Sequence, residues 1–121
     1  MTIIKILYWL FMHWIADFVL QSDEDAKNKS TKIENLLNHT FIYSLFMTGA
    51  VLCFYAPLNL SFLVIFFGFM LGSHTTIDYV TSKVNGKLWK EGKVHNFFVS
   101  IGFDQWLHYV VLFLTLNYLF H

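Results

Sequence analysis

Three pairs of histidine and aspartate residues, each four positions apart, lie within apolar stretches of the sequence. The pairs are His13 with Asp17, His74 with Asp78, and Asp104 with His108. If these stretches are helical, residues four apart share a face, with Cβ atoms about 5–6 Å apart. Neutral imidazole and carboxylate are standard ligands of zinc and of neighbouring divalent metals. Each pair could therefore direct two metal-binding groups to the same side of its helix.

A further histidine, His39, stands near the start of another apolar stretch. A charged side chain at the centre of a bilayer costs about 2.5–3.5 kcal/mol even on the milder insertion scales, so a set of such groups needs a shared purpose. We predict a metal site whose ligands are His13, Asp17, His39, His74, Asp78, Asp104 and His108. Structural hydrogen-bonded pairs between helices and a proton or ion path are the alternatives.

The charges of the predicted ligands bear on the number of ions. Three aspartates carry three negative charges, so one dication leaves a net charge of −1 and two dications leave +1. A bridging hydroxide would neutralise the second arrangement, which favours a dinuclear centre. Zinc is the first choice for these ligands, with manganese or iron as alternatives. The prediction is therefore one or two divalent ions.

Four other polar residues flank the predicted ligands. Gln21 and Gln105 are placed to hydrogen-bond the ligands or a substrate, and Lys27 and Lys29 could attract an anionic substrate. If the site is catalytic, we expect Asp104 or a bridging hydroxide to act as the general base.

Four apolar segments must position these residues, and they cover residues 3–20, 38–56, 58–81 and 97–120. Each is about as long as a helix that crosses the hydrocarbon core of a membrane. The chain is 56% hydrophobic and 13% charged, whereas soluble domains are about 25% charged. These patterns predict an all-α fold, a transmembrane four-helix bundle of two helical hairpins, as a single membrane domain over residues 1–121.

The distribution of lysines predicts the orientation of this domain in the membrane. The polar connections, residues 21–37 and 82–96, fall on the same side of two hairpins and hold seven of the eight lysines. The positive-inside rule puts both connections in the cytoplasm and both termini outside, in a multi-pass protein of a bacterial inner membrane. At 1.5 Å per residue, all seven predicted ligands lie within about three turns of those connections. The predicted site therefore occupies the cytoplasmic half of the bundle.

Several motifs resemble domain-of-unknown-function family 3307, which comprises small bacterial and phage membrane proteins. The motifs are His13-Trp-Ile-Ala-Asp17-Phe-Val-Leu-Gln21, Asn28-Lys29, Leu36-Leu37-Asn38-His39, His74-Thr-Thr-Ile-Asp78 and Phe103-Asp104-Gln105-Trp-Leu-His108. The resemblance covers nearly the whole chain. It implies four membrane helices and a functional core at these polar positions, and it implies no activity. The His-x-x-x-Asp element is also similar to one in membrane-bound metal-dependent hydrolases, whose longer motif is missing here.

These observations support three functions. The first is a membrane metalloprotein that hydrolyses a phospholipid or a polyprenyl phosphate. The second is a proton or metal-ion transporter or a channel subunit, which would need a homo-oligomer because four helices are few. The third is a non-enzymatic phage or bacterial membrane effector with a structural metal. The lipid bilayer is the expected partner, and a net charge of zero gives no reason to expect nucleic acid.

Overall fold

The chain is helical over most of its length, as the sequence predicts. The computed structural model describes residues 1–120 and contains no strand in that range. The helices are α1 (Ile3–Trp14), α2 (Asp23–Asn28), α3 (Ile33–Tyr55), α4 (Leu60–Lys90) and α5 (Val94–Phe120). His121, the last residue of the predicted domain, lies outside the described residues.

Three of the helices, α3, α4 and α5, are long and apolar enough to cross a membrane. Large apolar side chains cover their outer faces and that of α1. Ile4, Leu60 and Leu114, for example, are 75%, 74% and 65% exposed. Exposed apolar patches of this extent mark a surface that faces something other than water. We conclude that this is a membrane protein.

The first predicted segment, residues 3–20, is a helix of two kinds. α1 ends at Trp14 and continues directly into a π-helical turn, Ile15–Val19, in which the Leu20 N–H donates to the Ile15 carbonyl at 2.9 Å. Such wide turns insert one extra residue into a helix and are frequent at functional sites. The turn contains Asp17, one of the predicted ligands, and the spacing of apolar residues did not predict it.

The long helices extend beyond the predicted apolar segments at their polar ends. α3 begins at Ile33 rather than near residue 38, and α4 continues to Lys90 rather than ending near residue 81. At 1.5 Å per residue, α4 is about 46 Å long, longer than the hydrocarbon core of about 30 Å. Its last turns therefore carry their lysines out of the apolar layer.

Glycine ends α4. Gly92 has a positive φ of 70°, and the N–H groups of Gly92 and Lys93 donate to the carbonyls of Trp89 and Leu88. This pairing is a Schellman motif, in which glycine takes the left-handed position without a steric penalty. The chain thereby reverses within four residues and begins α5 beside α4.

The helices pack in series, with α1 against α3, α3 against α4, and α4 against α5. One half of the interior is an apolar core that includes Trp9, Met47, Phe66, Met70 and Leu112. The other half contains buried histidines and aspartates. The polar connections adjoin that half, because Lys83 of α4 donates to the Ser30 carbonyl at 2.9 Å. The buried histidines and aspartates are therefore confined to one end of the interior.

Candidate metal centre

Four predicted ligands converge inside the polar half of the molecule. They are Asp17 from the π-helical turn, His39 from α3, and His74 and Asp78 from α4, and each is at most 4% exposed. One ligand atom from each residue lies within 4.8 Å of the others. This group, called the four-ligand cluster below, joins three separate segments of the chain.

Five distances define the shape of the four-ligand cluster. The Nε2 atoms of His39 and His74 are 3.2 Å apart, and each is 3.1 Å from Asp17 Oδ1. Asp78 Oδ2 lies 3.4 Å from His39 Nε2 and 3.5 Å from His74 Nε2. A tetrahedral ion bonded at about 2.0–2.1 Å holds its ligand atoms about 3.3 Å apart. Five of the six separations among the four atoms therefore match the ligands of one tetrahedral ion.

The two imidazoles of this cluster present lone pairs at Nε2 when their hydrogens are on Nδ1. His39 Nε2 and His74 Nε2 lie 3.2 Å apart, and in that tautomer both direct a lone pair at Asp17 Oδ1. When ionised, the carboxylates of Asp17 and Asp78 can accept hydrogen bonds but cannot donate them. In that tautomer several lone pairs point at one another in a buried site, and a cation bound among them would offset the cost.

The second oxygen of each carboxylate in the cluster is hydrogen-bonded to a side chain outside the cluster. The Gln105 amide donates to Asp17 Oδ2 at 2.8 Å. His108 Nε2 lies 3.0 Å from Asp78 Oδ1. Hydrogen bonds of this kind orient metal-binding carboxylates and are common around metal sites. The second oxygens are therefore engaged, and the first oxygens of both residues point into the cluster.

His13 lies outside the four-ligand cluster, and both of its ring nitrogens are hydrogen-bonded. The Tyr43 hydroxyl lies 2.7 Å from Nδ1, and Gln105 Oε1 lies 2.8 Å from Nε2. Because Gln105 Oε1 can only accept, Nε2 of His13 carries a hydrogen, and Nδ1 of the neutral ring accepts from Tyr43. The chain of hydrogen bonds runs from Tyr43 through His13 and Gln105 to Asp17. His13 is thus placed to orient Asp17 through Gln105.

Aromatic contacts hold the ring of His74. Tyr43 stacks on this ring with a centroid distance of 3.9 Å, and His108 stacks on it with a centroid distance of 4.1 Å. The interplanar angles are 21° and 17°. These contacts restrict rotation of the imidazole, so Nε2 stays directed at the cluster.

The remaining predicted ligands, Asp104 and His108, come from α5 and lie beside the four-ligand cluster. Together with Asp17 they form a second group with ligand atoms within 4.8 Å of one another. Thr81 of α4 donates a short hydrogen bond to Asp104 Oδ1, and Gln105 donates to Asp104 Oδ2 at 3.1 Å. Asp104 is therefore held by hydrogen bonds next to the cluster.

Lys29 provides a positive charge at the cluster itself. Its Nζ donates to Asp78 Oδ2 at 3.0 Å, and its side chain is 21% exposed. The lysine follows α2 directly, and α2 is held on α3 by Asp25, whose carboxylate accepts from the amides of Asn35 and Asn38 at 2.8 and 2.6 Å. The polar connection that contains α2 thus brings one of its cations into the site.

A cavity of about 530 Å³ opens beside the carboxylates. Asp17, Asp104 and Gln105 line its inner end, and Lys27 and Lys29 line the side formed by the first polar connection. Its volume lies within the usual range for small-molecule sites, about 300–1,000 Å³. The cavity gives a ligand access to two of the carboxylates, and all four predicted flanking residues, including Gln21, line it.

Several residues that complete the site were not among those predicted from the sequence. Thr81, Ser82 and Asn85 lie three, four and seven residues after Asp78. They therefore continue the polar face of α4 that His74 and Asp78 begin. This periodicity was visible in the sequence, but the predicted apolar segment ended at residue 81. Asp25 and its amide partners carry no comparable local signal, since their contact joins two helices.

The chain matches the family described as "Protein of unknown function (DUF3307)" over residues 6–121, and it belongs to that family. The resemblance found in the sequence motifs is thereby confirmed. No curated protein and no solved structure matches the chain.

Proposed function

We propose that this member of the family is a membrane metalloprotein that binds one divalent ion in the four-ligand cluster. The spacing of the four ligand atoms, 3.1–3.5 Å along five edges, is the observation that supports this most directly. Two imidazoles and two carboxylates in tetrahedral array suit zinc better than manganese or iron. In this proposal His13 is a supporting residue and not a ligand.

Charge balance favours one ion over two. The three buried carboxylates and the Lys29 ammonium leave two negative charges, which one dication neutralises. A second ion would leave an excess of positive charge in a site of low dielectric constant, which is unfavourable. The lysine therefore provides the charge that the sequence analysis assigned to a second metal.

We further propose that the site hydrolyses the phosphoester of a membrane lipid. A bound divalent ion that accepts a fifth ligand would polarise a phosphoryl oxygen or lower the pKa of a water molecule. Asp104 lines the cavity and is not part of the four-ligand cluster, so its carboxylate can accept a proton from that water. Lys27 can hold the anionic group of the substrate at the mouth of the cavity.

The membrane arrangement in this proposal has four spans. The 17 residues from Ile3 to Val19 form a continuous helical segment that could cross a bilayer thinned around it, beside α3, α4 and α5. Two hairpins with their polar connections in the cytoplasm would then put the cavity at the inner membrane surface. A phospholipid headgroup would reach it from there.

Metal analysis and turnover of the same set of variants test both parts of the proposal. After purification in detergent without chelator, we expect about one zinc per chain in the wild type and nearly none in His39→Ala, since one of four ligands is lost. His95→Ala is the matched control, because His95 is exposed at the start of α5. Wild-type protein with less than about 0.2 equivalents would reject the metal site.

Asp104→Asn separates catalysis from metal binding. We expect this variant to retain its metal and to lose at least about a hundredfold in the release of phosphate or headgroup from phospholipid vesicles, the usual cost of removing a general base. Unchanged turnover in Asp104→Asn would reject its catalytic role. Absence of turnover in the metal-loaded wild type would reject hydrolysis.

A structural metal is the second candidate, because the cluster already supplies four protein ligands. Catalytic zinc sites usually keep one position open, whereas structural sites are closed by four residues. A protein that loses its fold on chelation and shows no turnover would fit this function. Transport is disfavoured, since the interior beyond the cluster is filled by Trp9, Met47, Phe66 and Leu112 among the described residues.

A further inference from the structure

The cavity beside the four-ligand cluster contains polar atoms that no part of the described chain satisfies. Within residues 1–120, Gln21 Oε1, Ser82 Oγ and Asn85 Oδ1 are shielded from solvent and have no hydrogen-bond partner, and all three residues line the cavity. Ser82 is only 6% exposed. Buried polar atoms in native proteins are nearly always paired, so an unpaired group facing a cavity indicates a ligand that supplies the partner.

The types of these atoms restrict the chemistry of that ligand. With the amides of Gln21 and Asn85 oriented as in the structure, their oxygens accept hydrogen bonds, so a ligand that pairs with them brings hydrogen-bond donors. The hydroxyl of Ser82 can donate to an anionic oxygen, and Lys27 and Lys29 line the same cavity with positive charge. Together these groups match a phosphate that carries free hydroxyl groups a few bonds away.

The cavity also has an apolar wall, whose side chains are partly exposed on the outer surface of the protein. Phe18, Trp89 and Phe98 line it, and they are 46%, 59% and 62% exposed. In a membrane, side chains with this exposure face lipid near the headgroup level, where aromatic residues are enriched. An acyl chain attached to a bound headgroup could therefore leave the cavity sideways into the bilayer.

We propose that this cavity binds a phosphate headgroup that bears hydroxyl groups, of the glycerol phosphate type. The phosphate lies near Ser82 and the two lysines, and hydroxyl groups donate to Gln21 and Asn85. This inference rests on the proposed function in taking the cavity as the substrate site. It narrows the substrate to phospholipids with a polyol headgroup, because a polyprenyl phosphate has no hydroxyl donor for the amide oxygens.

Lipid retention measured by native mass spectrometry tests the proposal without requiring turnover. Purified protein, with and without zinc, is incubated with phosphatidylglycerol, with phosphatidic acid, or with soluble glycerol 3-phosphate. Phosphatidic acid carries the phosphate but no headgroup hydroxyl. We expect about tenfold stronger retention of phosphatidylglycerol, the effect of one or two hydrogen bonds to otherwise unpaired groups.

Variants separate the hydroxyl contacts from the charge. The double variant Gln21→Ala, Asn85→Ala should lose the preference between the two lipids, whereas Asn117→Ala, an exposed control at the far end of α5, should keep it. Lys27→Gln should weaken the binding of both lipids to a similar degree. Glycerol 3-phosphate binding as strongly as phosphatidylglycerol would support the same chemistry in a soluble ligand, and binding of the lipid alone would support a lipid source.

Two results would overturn the inference. One is equal retention of both lipids by the wild type, which requires no variant to fold. The other is a preference that survives in the double variant. The outcome is distinguishable from that of the proposed function, because retention is measured in chelated as well as zinc-loaded protein. Preferential binding without hydrolysis would reject only the enzyme, and hydrolysis without the preference would reject only the headgroup assignment.

Discussion

Single side chains in this site combine two tasks. Asp17 directs one oxygen at two imidazoles and receives a hydrogen bond from Gln105 on the other. Tyr43 likewise donates to His13 and stacks on His74. Because buried polar groups are costly when unpaired, each partner that orients a neighbour also removes a penalty. The precision of the cluster therefore depends on residues that do not touch the proposed ion.

Tyr43→Phe tests this dependence at one atom. The substitution keeps the ring that stacks on His74 and removes the hydroxyl that donates to His13 Nδ1, which leaves a buried acceptor unpaired. We expect a loss of about 1–3 kcal/mol in the free energy of unfolding, measured by denaturation in mixed detergent micelles. Tyr118→Phe, which is 78% exposed, should change stability by less than about 0.5 kcal/mol. Equal effects of the two substitutions would contradict the role of the hydroxyl.

The short helix α2 shows how one element completes a site built by others. Its N-terminus is capped by Ser22, whose hydroxyl accepts from the Asp25 N–H at 3.1 Å. Asp25 then joins α2 to α3, and Lys29 extends from the end of α2 to Asp78. A six-residue helix is not stable alone, so these contacts determine its position.

The Asp25 contact predicts a pH dependence. Burial raises the pKa of the Asp25 carboxyl, but hydrogen bonds from Asn35 and Asn38 outweigh burial and leave that pKa below its usual value. A carboxyl with a lowered folded-state pKa stabilises the protein above its unfolded-state pKa of about 3.9, and this contribution is lost as the pH falls further. Asp25→Ala should therefore cost about 1–3 kcal/mol at pH 7 and less at pH 3.

Thermal unfolding at the two pH values measures this difference. Asp23→Ala is the matched control, since Asp23 is an exposed residue of the same helix. The comparison within each pH value cancels the titration of other groups. A cost of Asp25→Ala that stays constant between pH 7 and pH 3 would show that the carboxylate does not stabilise α2 as described.

At the scale of the whole molecule, polarity is arranged opposite to that of a soluble protein. Apolar side chains cover the outside, and the histidines and aspartates lie inside one end. The site, the cavity and the polar connections all occupy that end. If the protein lies in a bilayer with four spans, the distribution of lysines puts this end in the cytoplasm.

Cysteine labelling tests this orientation. In a background with Cys53→Ser, single cysteines are introduced as Ser61→Cys, next to the connection between α3 and α4, and Lys93→Cys, between α4 and α5. Both positions are exposed. We expect a membrane-impermeant maleimide to label Ser61→Cys in intact cells and to label Lys93→Cys only after permeabilisation. The reverse pattern would place the cavity on the outer face.

Sequence alone determined the membrane character, the all-helical fold and the concentration of histidines and aspartates in apolar segments, because composition and helical periodicity are local properties. In the structure six of the seven predicted residues, all but His13, lie in two buried clusters that could hold a metal. The helix ends were less predictable, as α4 continues through a lysine-rich stretch until Gly92 allows the reversal.

Only the tertiary structure decided which of the seven polar residues share one site. Periodicity states that His13 and Asp17 face the same way, but the π-helical turn and the packing of α3 and α4 bring Asp17 to His39 and His74 and leave His13 bonded to Tyr43 and Gln105. Lys29 reaches Asp78 across 49 positions of sequence. Distances between separate helices depend on how side chains pack against each other, and no local spacing contains that information.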